Sequence, residues 1–511
     1  MIFYREDFIK NGTYGKCYVA RDSNGRKVAL KEHYYEHIIS GFGNLKELDV
    51  LARLSFSTLV PKLLDIIINE ERKPRDRSSK MEGIIFVTEL ADMDGERFFR
   101  ERNKCTPKIS IRLSAELLVA IEFLHSHRIT HRDIKPGNML ITFQSDGPHL
   151  KLCDFGFAAF LCNGEVSTPE ISTAWYRPPE VCWSIPQYGY TSDIWSVGCA
   201  IYEMFTGRIL LENAGSSNYD LFTAILNRIP VQINNDIINL YRSKGQVTMK
   251  FNRTGHTPTS LINHFNILPE YSSLPSSSWR YLDNLLMDIF DLNYRTRKSS
   301  TLCLLSPLFT SEFEYISNLK SKNSCVQTLD PVLIIENENV YEKKINIFNQ
   351  FIRSSRLSNV GMRIVFHALD LTNRYFNKYP ETIDVEKIVL GSLYFYNKYF
   401  STLRYPEIPE FFFGFCPNPT NPVEREKFEL ELDSWIFNFE KQVLEKIAIH
   451  YCIYRPGLYE MPDEYNHLLT PSQIMTLFNE FLMVRSWSKT SFRSMYRIFY
   501  RKCFDSQAFP N

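Results

Sequence analysis

The sequence has no long apolar run and no recognisable secretion signal. Runs such as GIIFV at residues 83–87 are far shorter than the roughly 18 consecutive apolar residues that a membrane-spanning helix needs. The first seven residues, MIFYRED, place an arginine and two acids where a secretory signal has a continuous apolar stretch. These two absences predict an intracellular protein without a membrane partner.

The sequence also lacks an excess of either charge. Its 59 Lys and Arg residues balance 58 Asp and Glu residues, which gives a formal net charge of +1. Such a balance gives no support to bulk electrostatic binding of nucleic acid, so no nucleic-acid partner is expected. The 11 cysteines are odd in number and show no Cys-x-x-Cys spacing. We interpret them as reduced thiols, not as a disulfide framework or a zinc site.

The chain changes in texture along its length. Residues 1–310 mix short strand-like runs with helical periods, and residues 311–335 form a polar connector. From residue 336 onward the helical period dominates, and strand signals disappear. The sequence therefore predicts an α+β region at 1–310, a linker at 311–335, an all-α domain at 336–460 and a helical extension at 461–511.

Within the α+β region, strands come first and helices follow. Asn24-Gly25 is a tight-turn dipeptide between two strand-like runs, the second of which ends at Lys31. Further along, Leu113, Leu117, Ile121 and Leu124 recur at the spacing of one helical face. This pattern predicts a long helix before residue 130.

Two signals in the strand-rich part suggest phosphate binding. Gly12 and Gly15 lie between two strands, where glycine lets backbone N–H groups approach a phosphate. On its own, a Gly-x-x-Gly turn is more typical of an ordinary hairpin. Lys31 ends a strand, where a lysine usually extends to solvent. However, Glu47 follows in a predicted helix, and an acidic partner would fix the ammonium group so that it meets phosphate oxygens.

Two further signals follow the predicted helix. The string HRDIKPGN at 131–138 contains Asp133, which can accept a proton from a substrate hydroxyl, and DFG at 154–156 follows a strand-like run. Asn138 and Asp154 offer the oxygen ligands that Mg²⁺ prefers. Each string alone arises by chance, but the four signals together in this order are poorly explained by coincidence.

With these motifs, the sequence resembles the protein kinase family and, within it, the cyclin-dependent kinases. The resemblance covers about residues 4–310. It implies a two-lobed fold, with an N-lobe at about 1–90, a C-lobe at about 91–310 and ATP between them. The Asp-x-Lys-x-x-Asn spacing at 133–138 resembles the kinases that phosphorylate serine and threonine. Protein substrates and an ATP- and Mg²⁺-dependent phosphate transfer are the implied partners and activity.

The resemblance also implies roles for individual residues. Asp133 would be the catalytic base and Lys135 would stabilise the transferred phosphoryl group, while Asn138 and Asp154 would bind Mg²⁺. His131 resembles a structural histidine of the family. The implied nucleotide-binding residues are Ile9, Gly12, Thr13, Tyr14, Gly15, Cys17, Ala29, Lys31, Glu47, Glu89, Ala91 and Leu140.

Regulatory positions follow from the same resemblance. Thr13 and Tyr14 align with two inhibitory phosphorylation sites, and Thr168 aligns with the activating one. A phosphate on Thr168 needs cationic partners. Arg132 is one, while Lys46 and Ala159 stand where the family has further arginines.

The segment around Thr168 contains two more similarities. Trp175-Tyr176-Arg177 resembles the segment that makes this group prefer proline after the phosphorylated residue, which makes Arg177 a residue of the activation segment. Pro179-Glu180 resembles a motif whose glutamate has a buried arginine partner, for which Arg295 is the predicted residue. Asp193 lies in a string similar to the helix that supports the catalytic loop.

The second half of the chain gives helical patterns. One helix is predicted from Val385 to Phe400, and Gly391 and Ser392 inside it would allow a close helix crossing. Another is predicted from Trp435 to Ile453. A generic helical bundle is one interpretation. The other is a cyclin box, because stretches 363–376, 388–411 and 439–458 resemble helices of cyclins.

Three functional hypotheses remain open from the sequence. The first is an active, proline-directed serine/threonine kinase that is activated by a cyclin-like domain of its own chain. The second is a pseudokinase scaffold, suggested by Lys10 at the first glycine position of the loop but opposed by Lys31, Asp133, Asn138 and Asp154. The third is a kinase whose helical half is a targeting module.

Overall fold

The computed structural model describes most of the first 323 residues and shorter stretches beyond them. The described residues are 3–12, 15–33, 43–70, 81–101, 105–160, 173–185, 189–215, 217–245, 250–251, 260–261, 275–323, 347, 368–369, 371–372, 374–376, 384–400, 431–432, 435, 438–439 and 442–443. The chain divides into two compact units. The first contains Met1–Arg53, Leu63–Thr88 and Val326–Asn511, and the second contains Leu54–Lys62 and Glu89–Cys325.

The N-terminal residues that the structure describes in the first unit form an antiparallel sheet accompanied by a helix. The strands run in the order β1-β2-β3-β5-β4 and are β1 (Phe3–Asn11), β2 (Gly15–Asp22), β3 (Lys27–His33), β4 (Leu63–Glu70) and β5 (Met81–Glu89), with helix α1 at Gly43–Leu54. Gly25 adopts a φ of 77° in the β2–β3 turn, which confirms the predicted Asn-Gly turn. Ala20, Val28 and Val87 are buried beneath the sheet and form part of its core.

The second unit is mainly helical. Its helices are α2 (Gly95–Arg100), α3 (Pro107–Ser126), α4 (Pro179–Cys182), α5 (Thr191–Thr206), α6 (Asn218–Arg228), α7 (Asn235–Lys244), α8 (Ser276–Ile289), α9 (Ser300–Cys303) and α10 (Phe313–Asn323). Its short strands are β6 (Met93–Asp94), β7 (Ile129–Thr130), β8 (Met139–Gln144), β9 (Gly147–Leu152) and β10 (Ala159–Phe160). The long helix predicted before residue 130 is α3. Its predicted apolar face, which includes Leu113 and Leu124, is fully buried.

The polar connector predicted over 311–335 is wrong for its first part. A 3-10 helix at Pro307–Glu312 leads directly into α10, which ends at Asn323. The polar residues of α10 are used in contacts with α3 and are not simply solvated: the Tyr315 hydroxyl donates to Glu116, and Lys320 Nζ lies 2.6 Å from Glu122 Oε2. Several side chains of this helix are polar because they form hydrogen bonds and ion pairs with α3, and a polar composition is also typical of a linker.

In the second half, helix α11 spans Val385–Phe400, with the bounds that the sequence predicts. A Cβ atom on Gly391 would lie 2.9 Å from Trp435 Cη2 and 3.1 Å from Phe439 Cδ1, so glycine permits the predicted close crossing. Trp435 and Phe439, from the predicted 435–453 helix, are helical and stack on each other. Most of the predicted 336–460 domain and the whole 461–511 extension lie outside the described residues. Among the helices that the structure does describe, none has the length and apolar character to cross a bilayer.

Candidate active site

The loop between β7 and β8 presents a nearly buried carboxylate that is bonded from three sides. Asp133 is 3% exposed. Its Oδ2 accepts hydrogen bonds from Lys135 Nζ (2.8 Å) and Asn138 Nδ2 (2.9 Å). Its Oδ1 accepts from the backbone N–H (3.0 Å) and the hydroxyl (2.7 Å) of Thr173. The structure thus brings together both predicted catalytic residues and one predicted metal ligand.

Thr173 is a site residue that the sequence analysis missed. Besides its two bonds to Asp133, its Oγ1 accepts a hydrogen bond of 2.6 Å from Lys135 Nζ. The hydroxyl therefore lies between the ammonium and the carboxylate and fixes both side chains. The one available signal was the position of Thr173, two residues before the Trp175-Tyr176-Arg177 string.

The backbone of this loop is held by Asp193, the second residue after the start of α5. Asp193 Oδ2 accepts from the N–H of His131 and Oδ1 from that of Arg132, each at 2.9 Å, where Arg132 has a φ of 69°. Burial alone would raise the pKa of Asp193, but the hydrogen bond and charge of His125, with further contributions from the loop, hold that pKa below its usual range. The resulting carboxylate compensates for a left-handed backbone turn that is unfavourable for arginine.

His131 joins the catalytic loop to the end of β9. Its Nδ1 accepts a hydrogen bond of 3.3 Å from the N–H of Asp133, which leaves Nε2 to donate to the carbonyl oxygen of Cys153 at 3.0 Å. The N–H of Cys153 in turn donates to the carbonyl oxygen of Asn138 at 3.0 Å. These bonds connect the chain segments that carry Asn138 and Asp154, and His131 uses both ring nitrogens in doing so.

The predicted metal ligands have the donor chemistry that suits Mg²⁺. The two N–H groups of the Asn138 amide bond to the backbone oxygen and Oδ2 of Asp133, which leaves the amide oxygen for a cation. Asp154 supplies a carboxylate from a residue in the left-handed conformation, with φ 64°. An amide oxygen and a carboxylate oxygen are the hard ligands that Mg²⁺ takes alongside water and phosphate. Within the described ranges, no three His, Cys, Asp or Glu side chains form a ready-made metal cluster.

In the first unit, Lys31 and Glu47 form the predicted ion pair. Lys31 Nζ lies 2.7 Å and 2.8 Å from the two carboxylate oxygens of Glu47, whose side chain is 3% exposed. A strand lysine is therefore held by a nearly buried carboxylate on α1. A doubly bonded ammonium has a fixed position, which suits it to meet phosphate oxygens.

The glycine loop of the first unit is described at its two glycines. The N–H of Gly12 donates to the carbonyl oxygen of Gly15 at 2.7 Å, which closes the turn. A Cβ on Gly15 would lie 1.9 Å from the carbonyl oxygen of Glu32, so only glycine fits there. Thr13 and Tyr14, the predicted phosphorylation sites between them, lie outside the described residues.

The other predicted nucleotide-binding residues are distributed over both units. In the first, Ile9 lies on β1. Cys17 on β2 pairs with Lys31 on β3, and Ala29 also lies on β3. In the second, Glu89 is the last residue of β5, Ala91 lies between β5 and β6, and Leu140 lies on β8.

The predicted partner of Glu180 is wrong. Glu180 pairs with Arg297, whose Nη1 and Nη2 lie 2.7 Å and 2.9 Å from its two oxygens, while Arg295 is exposed. Two arginines that lie two residues apart cannot be told apart by composition, and the turn at 291–297 directs only the second one inward. Arg177 donates to Asn218 Oδ1 at 2.7 Å. Thr168 lies outside the described residues.

An apolar cavity adjoins the catalytic residues. It has a volume of about 420 Å³ and is lined by Thr173, Ala174, Trp175, Asn213 and Gly215. Thr173 lines the cavity and also donates two hydrogen bonds to Asp133, so the cavity lies beside the candidate base.

Comparison with known proteins gives one family and several relatives. The model of the protein kinase domain matches residues 3–309. The chain is 33% identical to mitogen-activated protein kinase 2 of Pneumocystis carinii over 210 residues, which are 40% of this chain and 57% of the relative. It is 32% identical to cyclin-dependent kinase C-1 of Oryza sativa subsp. japonica over 229 residues, 41% of this chain and 42% of the relative. Cyclin-dependent kinase C-2 of Arabidopsis thaliana is 32% identical over 227 residues, with the same two coverages of 41% and 42%. The chain thus spans about half the length of these curated relatives.

Proposed function

The chain belongs to the protein kinase domain family, and from this premise we propose that it transfers the γ-phosphoryl group of ATP to serine or threonine hydroxyls of protein substrates. The observation that carries the proposal is the bonding of the Asp133 carboxylate by Lys135, Asn138 and Thr173. A carboxylate held in this way can orient a hydroxyl and accept its proton as the oxygen attacks phosphorus.

Other residues of the second unit would stabilise charge, position the reacting groups and bind Mg²⁺. Lys135, which is bonded to the same carboxylate, would neutralise charge on the transferred phosphoryl group. Thr173 keeps this ammonium group and the carboxylate at a fixed separation. Asn138 and Asp154 would hold Mg²⁺, which screens the phosphate oxygens of the nucleotide when it is bound. These contacts support an active enzyme over a scaffold.

The first unit would bind the nucleotide. The Lys31 ammonium, fixed by Glu47, would meet the α- and β-phosphates, and the turn closed by Gly12 and Gly15 would cover them. Lys10, at the position where the family has its first glycine, lies near the end of β1 and precedes this turn.

We further propose a preference for proline after the phosphorylated residue. The apolar cavity beside Thr173 is bordered by Trp175, the first residue of the Trp-Tyr-Arg string that resembles the proline-directed kinases. A largely apolar surface this close to the base favours a substrate residue without a backbone N–H to satisfy.

We also propose that the helical half activates the kinase within the same chain, as a cyclin-like domain. Two observations support this. Helix α11 includes residues 388–400 of the stretch 388–411 that resembles a cyclin helix. Residues 326–511 belong to the same compact unit as α1, which carries Glu47. A targeting module of helical structure is the competing proposal for this half.

Phosphate transfer to synthetic peptides tests the kinase proposal. The full chain, with ATP and Mg²⁺ but no added partner protein, is expected to phosphorylate a Ser-Pro peptide, to act less on the matched Ser-Ala peptide and to leave a Tyr-Pro peptide unmodified. Asp133→Asn keeps the shape and should lower the rate by at least about 100-fold. Wild-type transfer no faster than that of Asp133→Asn would favour the pseudokinase scaffold.

Separation of the two halves tests activation within the chain. A protease recognition sequence inserted after Cys325 would leave α10 intact and allow cleavage of the purified protein. If the helical half activates the kinase, cleavage followed by dilution should lower the transfer rate, because the effective concentration of the tethered half is lost. An undiminished rate after separation would favour the targeting module.

A further inference from the structure

The loop between α1 and β4, residues 55–62, is hydrogen-bonded to segments that carry site residues. The carbonyl oxygen of Leu59 accepts the N–H of Leu152 at 2.9 Å, two residues before Asp154. The carbonyl oxygen of Lys62 accepts the N–H of Glu89 at 3.2 Å, and its N–H donates to Glu89 Oε1 at 2.8 Å. The loop therefore contacts both a predicted nucleotide-binding residue and the strand that ends at a predicted metal ligand.

The same loop is held from the other side by the last residue of α10. Asn323 Oδ1 accepts hydrogen bonds from Ser57 Oγ (2.7 Å) and from the N–H of Thr58 (2.9 Å). Asn323 Nδ2 donates to Thr58 Oγ1 (3.1 Å) and to the carbonyl oxygen of Leu319 (2.8 Å). Asn323 and Ser57 are 3% and 5% exposed. A buried amide whose oxygen and nitrogen are both bonded fixes its neighbours firmly.

Ser57 transmits this contact along the loop. Its Oγ donates to Asn323 and accepts the N–H of Leu59 at 3.0 Å. Leu59 is the residue whose carbonyl binds β9. The bonds therefore run in series from Asn323 through Ser57 and Leu59 to Leu152.

Helix α10 lies outside the part of the chain that the family model covers, which ends at residue 309. Tyr315 holds it against α3 through its hydrogen bond to Glu116, and the Arg112 guanidinium lies 4.7 Å above the Tyr315 ring. The helix thus has a fixed position from which Asn323 reaches the loop.

We propose that Asn323 is a positioning residue: it fixes the 55–62 loop, and the loop in turn fixes Glu89 and the strand leading to Asp154. This inference rests on the proposed function, because its consequence is for nucleotide and Mg²⁺ binding. A change in the position of α10 would alter the loop through the hydrogen bonds of Asn323.

Hydrogen exchange of the full chain tests the structural part. In Asn323→Ala, peptides covering 55–62 and 147–153 should exchange about tenfold faster, as expected when one or two net hydrogen bonds are lost. Lys320→Ala is the matched control on the same helix. It removes a partly exposed ion pair that makes no contact with the loop, so exchange there should not change.

Calorimetric titration with ATP and Mg²⁺ tests the functional part without relying on transfer activity. Asn323→Ala should bind several-fold more weakly than both wild type and Lys320→Ala. Ser57→Ala is a milder change that removes the hydroxyl between Asn323 and Leu59. It should also speed hydrogen exchange and weaken ATP binding, and it tests the proposal if Asn323→Ala does not fold. Unchanged exchange, unchanged affinity, or an equal effect of Lys320→Ala would each overturn the proposal. Absence of transfer by the wild type would overturn only the proposed function.

Discussion

The guanidinium of Arg297 and the carboxylate of Glu180 form two hydrogen bonds, 2.7 Å and 2.9 Å long, with neither side chain exposed. Burial alone would lower the pKa of Arg297, but the charge and the hydrogen bonds of Glu180 raise it, so Arg297 remains a cation. Glu180 Oε1 also accepts from Ser192 Oγ at 2.8 Å. Ser192 precedes Asp193, which holds the catalytic loop. The pair therefore stabilises the first turn of α5, which contains Asp193 and so supports the catalytic loop.

Replacement of Arg297 by alanine should lower the free energy of unfolding of the second unit by about 3–5 kcal/mol, because the Glu180 charge would remain buried without its partner. Urea denaturation at neutral pH measures this. Arg295→Ala is the matched control, since Arg295 is exposed, and we expect a change of at most about 0.5 kcal/mol. Equal effects of the two substitutions would contradict the assignment of Arg297.

Removal of the Thr173 hydroxyl should lower kcat of the proposed kinase by about 10- to 100-fold. Thr173→Val keeps the shape of the side chain but loses the bonds to Asp133 Oδ1 and Lys135 Nζ, so both groups lose their fixed positions. Thr173→Ser keeps the hydroxyl and should retain most of the rate. Steady-state kinetics with a Ser-Pro peptide compares the three proteins. If Val and Ser variants behave alike, the hydroxyl has no positioning role.

Substitution of Gly391 tests the crossing of α11 with the segment that contains Trp435. A methyl group there would lie 2.9 Å from the Trp435 ring, and overpacking of this kind destabilises by about 1–3 kcal/mol, while alanine gains up to about 1 kcal/mol in helix propensity. Gly391→Ala should therefore speed hydrogen exchange of peptides from 385–400, and Gly391→Val should speed it further.

Ser392→Ala is the control for this experiment. It places the same methyl group one residue along the helix, where a side chain is already accommodated, and removes only the bond from Oγ to the carbonyl oxygen of Ile388. Exchange in 385–400 should then stay close to that of the wild type. Slower exchange in Gly391→Ala would mean that the crossing is looser than the structure has it.

Local patterns in the sequence predicted much of the fold and of the candidate site. The spacing of Leu113 to Leu124 and the run from Val385 to Phe400 have a helical period, so burial of one face follows directly. The pairing of Lys31 with Glu47 could be expected because both stand in recognisable motifs. Such features can be predicted because each depends on a short stretch of sequence.

What the sequence could not predict depends on contacts between distant residues. Thr173 is one hydroxyl with no local pattern, and its role arises only because the chain returns to Asp133. Arg297 and Arg295 are chemically identical, so only the turn before them decides which is buried. Helix α10 resembled a linker because its partners, Glu116 and Glu122, lie about 200 residues earlier in the chain.

The contact of α10 with α3 and β9 should depend on pH through His149. The hydrogen bond with Glu116 and, after it, the bond with Asp146 raise the pKa of His149 in spite of its partial burial. A pKa that is higher in the folded state means that the stabilisation is fully present below the unfolded value, about 6.5, and is lost as pH rises through the folded value. Arg112 and Tyr315 also face this cluster, and burial raises the pKa of the Tyr315 phenol further above its usual value.

Two variants separate this effect from the general pH dependence of the protein. His149→Gln should remove the extra stability at pH 6 but make little difference at pH 9, as measured by urea midpoints across that range. Glu116→Gln keeps the shape and the bond from the Leu150 N–H, but it lowers the pKa of His149 by removing the carboxylate. In that variant the loss of stability should therefore occur at lower pH than in the wild type. A difference between wild type and His149→Gln that stays constant from pH 6 to pH 9 would show that the imidazole acts through its shape and not through its charge.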